Sequence, residues 1–134
     1  MLSAIAATTP DSPKPTPIEQ FLGSHPNALK FVQIPKPAPV SYTTLSYFGV
    51  NAFQFTNAKG ESRFGRYRIT PVSGEQAMSQ ADLAKAKPNY LSEELTARLA
   101  NGEAKFRIAV QLAEPGDVID DATAVWPDDR PQVE

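Results

Sequence analysis

The sequence predicts an α+β fold: an open antiparallel β-sheet with short flanking helices. Three observations carry this. Phe106, Ile108, Val110 and Leu112 alternate with Lys105, Arg107, Ala109 and Gln111, which is the period of a strand. Thr43–Phe55 and Ser62–Thr70, rich in Thr, Tyr, Phe and Val, flank the tetrad Asn57-Ala-Lys-Gly60 as two arms of a hairpin flank its turn. Between and before these runs stand helix-start signatures with leucines or other apolar residues at helical spacing.

Met1–Ala7 is mildly apolar but lacks the basic n-region and full hydrophobic stretch of a signal peptide, and it reads as the clipped end of a longer segment. Residues 8–17, TTPDSPKPTP, form a proline-rich connector in which fixed φ angles and missing N–H groups oppose helix and central strand. We take residues 1–16 as this connector and 17–134 as one domain. Thr16-Pro17-Ile18-Glu19 is a capping box with proline at the first helical position, which predicts a helix over Pro17–Leu22 ended by Gly23. Pro26 opens a second helix, Asn27–Gln33, with Leu29 and Val32 as its buried pair. The hinge Ile34-Pro-Lys-Pro-Ala-Pro39 closes the region. After the hairpin, Pro71 and Gly74 stop the strand, and Ser79-Gln-Ala-Asp82 caps a short helix. Leu91, Leu95 and Leu99 stripe a further helix over Ser92–Ala100, closed by Asn101-Gly102. The last strand, Ala104–Ala113, feeds AEPGDVIDDATAVWPDDRP, a passage holding six carboxylates, three prolines and the single Trp. Gly116 permits a sharp exit there, and so many carboxylates require solvent or cationic partners.

Composition excludes several classes of function. Thirteen Lys and Arg against fifteen Asp and Glu give a charge of −2, which offers no field for nucleic acid or an anionic membrane. With no Cys there is no disulfide or thiolate chemistry, and one His excludes a multi-His metal site. No run approaches the ~18 apolar residues of a membrane span. The expectation is a soluble chain, cytoplasmic or periplasmic.

Two stretches carry a family resemblance: YFGVNAFQFTNAKGESRFGRYRITP (Tyr47–Pro71), and the run from Pro88-Asn-Tyr-Leu91 through LANGEAKFRIAVQLAEPGD to Trp126-Pro127. In order and spacing they resemble the haem catalases, most closely the small catalase-related peroxidases, over about Thr16 to Glu134. The resemblance implies a partial antiparallel β-barrel of the catalase type and a role in peroxide decomposition on haem. The passage after Leu112 then leaves the last strand and runs beside the haem, with Trp126 packed under the barrel and Pro127 fixing the bend. It also implies a haem wall: Val50 and Asn51 in the hairpin, and Ala122 in the acidic exit segment, match haem-lining positions. Phe48, Thr70 and Asp128 stand where nucleotide-binding members carry Tyr, Lys and His, which speaks against a nicotinamide nucleotide.

The family's catalytic groups are a distal His in Arg-x-x-His-x-x-Gly and a proximal Tyr phenolate in Arg-x-Phe-x-Tyr. Neither motif is matched, so no catalytic and no metal-ligating residue is assigned. His25, in Gly-Ser-His-Pro, reads as a loop residue. Arg63-Phe-Gly-Arg-Tyr67 spaces Arg and Tyr like the proximal motif, but in a strand the two lie about 13 Å apart, too far for Arg63 to balance a phenolate. Two readings follow. The chain is the central part of a haem hydroperoxidase, truncated, inactive alone and binding haem weakly or not at all; or it is a non-catalytic β-module. In both, exposed strand edges and the apolar positions Phe53, Phe55, Phe106, Ile108 and Val110 predict a homo-oligomer or a partner chain that completes the barrel. Arg66, Arg68, Lys105 and Arg107 serve as partial edge protection by charge.

Overall fold

A computed structural model describes residues 1–134, which divide into two units, Met1–Lys36 and Pro37–Glu134. The first holds three helices, α1 (Leu2–Ala6), α2 (Pro17–Ser24) and α3 (Pro26–Gln33). The capping box forms as expected: Glu19 N–H donates to Thr16 Oγ1 at 3.4 Å, and Thr16 N–H donates to Glu19 Oε2 at 2.7 Å. Gly23 lies inside α2 rather than beyond it, and α1 was not foreseen. The Thr8 hydroxyl links α1 to α2 by donating to Ala4 O and accepting from Ile18 N–H. Leu29 and Val32 are not a buried pair: they are 36% and 52% exposed, because three short helices make too thin a unit to enclose a face of α3.

The second unit is built on an open sheet of β1 (Tyr47–Phe48), β2 (Phe53–Thr56), β3 (Ser62–Pro71), β4 (Phe106–Leu112) and β5 (Gln132–Val133), all antiparallel. The turn before β3 is as predicted. Asn57 Oδ1 accepts from the N–H groups of Lys59 and Glu61, and Gly60 takes the positive φ of 82°. The strand expected over Thr43–Phe55 is instead interrupted. Ser41 Oγ accepts from Thr43 N–H and closes a 3-10 turn over Tyr42–Thr44, so the ladder starts only at Tyr47. After Phe48 the backbone presses against β3. Gly49 N–H donates to Tyr67 O at 2.7 Å, and a Cβ at Gly49 would sit 3.2 Å from Tyr67 N. The chain leaves the ladder there and rejoins it at Phe53, so β1 and β2 share one edge of β3.

β4 holds the other edge of β3, in a register that sets Arg66 opposite Gln111, Tyr67 opposite Val110 and Ile69 opposite Ile108. The pleat sorts the side chains into two faces. One carries Phe53, Phe55, Gly65, Tyr67, Ile69, Ile108, Val110 and Leu112; the other carries Phe64, Arg66, Arg68, Ala109 and Gln111. The apolar face is poorly covered: Ile108 is 58% exposed, Phe53 49% and Tyr67 37%. The two phenylalanines pack on Tyr67 with ring centroids 5.8 and 5.7 Å apart. β5 pairs only with Val110 and Gln111, so the outer edge of β4 from Phe106 to Ala109 has no strand beside it. The sheet is not closed.

Helix α4 (Gln80–Leu83) is capped by Ser79 Oγ, which accepts from Asp82 N–H. Helix α5 (Tyr90–Asn101) packs on the 3-10 turn, and Tyr90 Oη donates to Pro39 O at 2.9 Å. Leu91 and Leu95 are half-buried, while Leu99 is exposed because Arg98, paired with Glu94, takes the inward position. Ser41, Thr43 and Thr44 are buried with their hydroxyls bonded to one another or to the backbone. Trp126 is the only large hydrophobic residue that is buried, and Pro71 at the end of β3 is buried as well.

Candidate functional site

The second face of the sheet is where the acidic passage returns. Gly116 turns it with a φ of 97°, as a sharp exit requires. Four of its six carboxylates, Glu114, Asp117, Asp128 and Asp129, pair with cations. Arg130 donates to Asp117 Oδ2 and Oδ1 at 2.9 and 3.0 Å and pairs with Glu114 at 3.1 Å; Arg68 pairs with Asp128 at 2.8 Å. The Arg130 bonds, then the Glu114 N–H, hold the Asp117 carboxyl below the usual carboxylate pKa. Hydrogen bonds from Thr123 do the same for Asp121.

Beneath the passage lies Arg66, 6% exposed; it is no edge protector, because β3 has strands on both sides, and its side chain stands on the face that the passage covers. Its Nη1 donates to Ala124 O at 2.7 Å, and its Nη2 to Asp121 O at 3.1 Å and Val118 O at 3.4 Å. The guanidinium lies over the Trp126 ring, 4.2 Å from the centroid, and Trp126 Nε1 donates to Val118 O at 2.7 Å. Gln111, opposite Arg66 in the register, donates to Pro127 O at 2.8 Å. Burial pulls the Arg66 pKa down and Asp121 and Asp117 oppose it, so the group keeps its charge. No sequence pattern singled Arg66 out for this; the available signal was a charged residue in mid-strand with strands predicted on either side.

Val50 and Asn51 lie in the break between β1 and β2, both exposed. Their neighbour Gly49 is bonded to Tyr67, and the loop around Ala122 is gripped by Arg66. The residue before Val50–Asn51 and the carbonyls on either side of Ala122 are thus tied to adjacent residues of β3. Phe48 lies under Arg68, 5.3 Å from guanidinium carbon to ring centroid, and Asp128 is engaged by the same Arg68.

Haem asks two things of these residues, an apolar or small surface and a ligand for iron. Exposed Val50 and Ala122 suit the first, while Asn51, also exposed, presents a polar amide. For the second, His25 is in the helical unit, with its ring stacked on Phe21 at 3.9 Å and Nδ1 within 2.8 Å of Phe21 O. Tyr67 is set among Phe53 and Phe55; Tyr47 and Tyr90 donate their hydroxyls to backbone carbonyls. Arg63 and Tyr67 lie in extended β3, so the pair does not form the helical Arg–Tyr arrangement.

The profile of the Catalase family matches residues 9–133. A catalase-related peroxidase of Synechococcus elongatus is 34% identical over 136 residues, covering 96% of this chain and 40% of the relative. One of Mycolicibacterium paratuberculosis is 33% identical, covering 93% and 41%. The chain spans about two fifths of the length of these curated relatives. Among solved structures, a fungal catalase superposes with a TM-score of 0.61 at 20% identity, over 71% of this chain and 21% of the other. Catalase A of Saccharomyces cerevisiae gives 0.57 at 18%, over 66% and 20%. These two likenesses concern the fold, and the sequence match over nearly the whole length concerns descent: the chain belongs to the catalase family.

Proposed function

We propose that the chain serves a haem hydroperoxidase of the catalase-related peroxidase kind, lending it the open sheet and one wall of the haem pocket formed by Val50, Asn51 and Ala122. The observation that carries this reading is the anchoring of the Val50–Asn51 break and the Ala122 loop on the adjacent residues Arg66 and Tyr67, in a chain of this family. Haem iron, when bound, supplies the centre at which the peroxide O–O bond is split. These residues supply shape: Val50 and Ala122 offer apolar contact, and Asn51 offers an amide at the pocket's rim. The proton-moving His and the phenolate ligand come from polypeptide outside these 134 residues.

The chain alone therefore binds haem weakly and releases no oxygen from peroxide beyond free haemin. A missing general acid–base by itself costs ~10²–10⁴-fold. The test is oxygen release by the purified chain with haemin, before and after addition of a polypeptide carrying the Arg-x-x-His-x-x-Gly and Arg-x-Phe-x-Tyr motifs. Activity only in the mixture, reduced by Ala122→Arg, is the expected result. Haem-dependent oxygen release by the chain alone, abolished by His25→Ala, would overturn the reading. The exposed apolar face and the open β4 edge favour a second element of the same proposal, a partner chain or further copies that cover the sheet.

A further inference from the structure

We propose that Arg66 is the positioning residue of the Val118–Ala124 loop, and through it of Ala122. The part concerning the loop stands on geometry alone; the part concerning haem rests on the function proposed above. Arg66 holds the loop entirely through main-chain oxygens, those of Val118, Asp121 and Ala124, which flank Ala122 on both sides. Trp126 adds a second hold on Val118 O, and Gln111 a hold on Pro127 O. Since the grip is on carbonyls, the apolar side chains of the loop can face outward: Val118 and Ile119 are 44% and 39% exposed, Ala122 is exposed as well, and Val125 just beyond the loop is 87% exposed. A backbone fixed from below with apolar side chains displayed above is a preorganised contact surface, of the kind a flat apolar ligand needs.

The clasp depends on a guanidinium in particular. Its two terminal nitrogens serve three acceptors in a planar fork while its face rests on the indole, which a lysine ammonium cannot reproduce. Nε is buried with no acceptor, so the loop contacts must outweigh the cost of drying the whole group.

The test uses the whole chain and its only Trp. In the wild type, Arg66 Nη protons should give separate NMR signals with slowed solvent exchange, and Trp126 should resist acrylamide quenching. Arg66→Lys and Arg66→Met should both open Trp126 to quenching and make the segment around Ala122 sensitive to protease, with far-UV circular dichroism retained. Haemin affinity should fall about tenfold or more in both variants, equivalent to about 1.4 kcal/mol. If wild-type chain shows the clasp signals but takes up no haemin, the haem reading fails and the positioning role stands. If Arg66→Lys keeps Trp126 protected and haemin affinity unchanged, the positioning role is wrong. Should Arg66→Met not fold, the wild-type guanidinium signals decide: fast exchange and averaged Nη protons would overturn the proposal.

Discussion

At the scale of single residues, Gly65 and Asp117 carry the sharpest consequences. A Cβ at Gly65 would lie 2.4 Å from Val110 Cγ1 and 3.1 Å from Gln111 O, so the residue lets β3 and β4 close beneath Phe55. Val110 can rotate, but the carbonyl belongs to the ladder. Gly65→Ala should therefore destabilise the sheet unit by ~1–3 kcal/mol, measured by urea unfolding. Asp117, only 6% exposed in its side chain, has its pKa held below the ordinary 3.8 by Arg130 and the Glu114 N–H. A depressed folded pKa contributes stability that is present above the unfolded value and lost as pH falls through the folded one. The stability gap between wild type and Asp117→Asn should thus be full at neutral pH and shrink below about pH 4. A gap unchanged down to pH 2 would mean that the Arg130 pair is not formed in solution.

At the scale of elements, local chemistry was legible and long-range contact was not. The Thr16 capping box, the Asn57–Gly60 turn and the alternation in β4 are each written within a few residues, and all three form as read. The split of the first strand was missed because its cause lies partly in Tyr67, against which Gly49 presses. Composition in Thr, Tyr and Phe says only that a segment suits a pleat. Leu29 and Val32 were misread because helical spacing reports a face, not what covers it. In the site, the resemblance supplied Val50, Asn51 and Ala122, but Arg66 acts on residues more than fifty positions away, which no periodicity displays. The capping box gives a local test. Thr16→Ala should cost the helical unit about 1 kcal/mol, seen as a loss of helical signal on mild heating. Hydrogen exchange should show the strongest protection at Arg66, Arg68, Ala109 and Gln111, whose N–H groups face the β3–β4 seam, and little at Phe106 and Ile108, whose N–H groups point to the open edge.

At the scale of the whole molecule, the question is what holds the sheet together when Trp126 is its only buried large hydrophobic residue. Phe53, Tyr67, Ile108 and Val133 lie on one face with exposures from 37% to 58%. Covering each is worth roughly 1 kcal/mol or more, since full burial of such a side chain yields ~1.5–3 kcal/mol. The sum is a large part of the ~5–15 kcal/mol that stabilises a typical domain. Arg63 is the only charged residue that β2, β3, β4 and β5 set on that face, so little repels an apolar partner. A family sheet carrying part of a haem wall, dependent on another polypeptide surface for its core, is the reading that joins these facts. Size-exclusion chromatography with light scattering over a range of dilutions tests it most directly. The wild-type chain should run above monomer mass and dissociate on dilution, while Ile108→Glu should shift it toward monomer with loss of cooperative unfolding. A wild-type chain that is monomeric at every concentration and unfolds cooperatively would contradict the account.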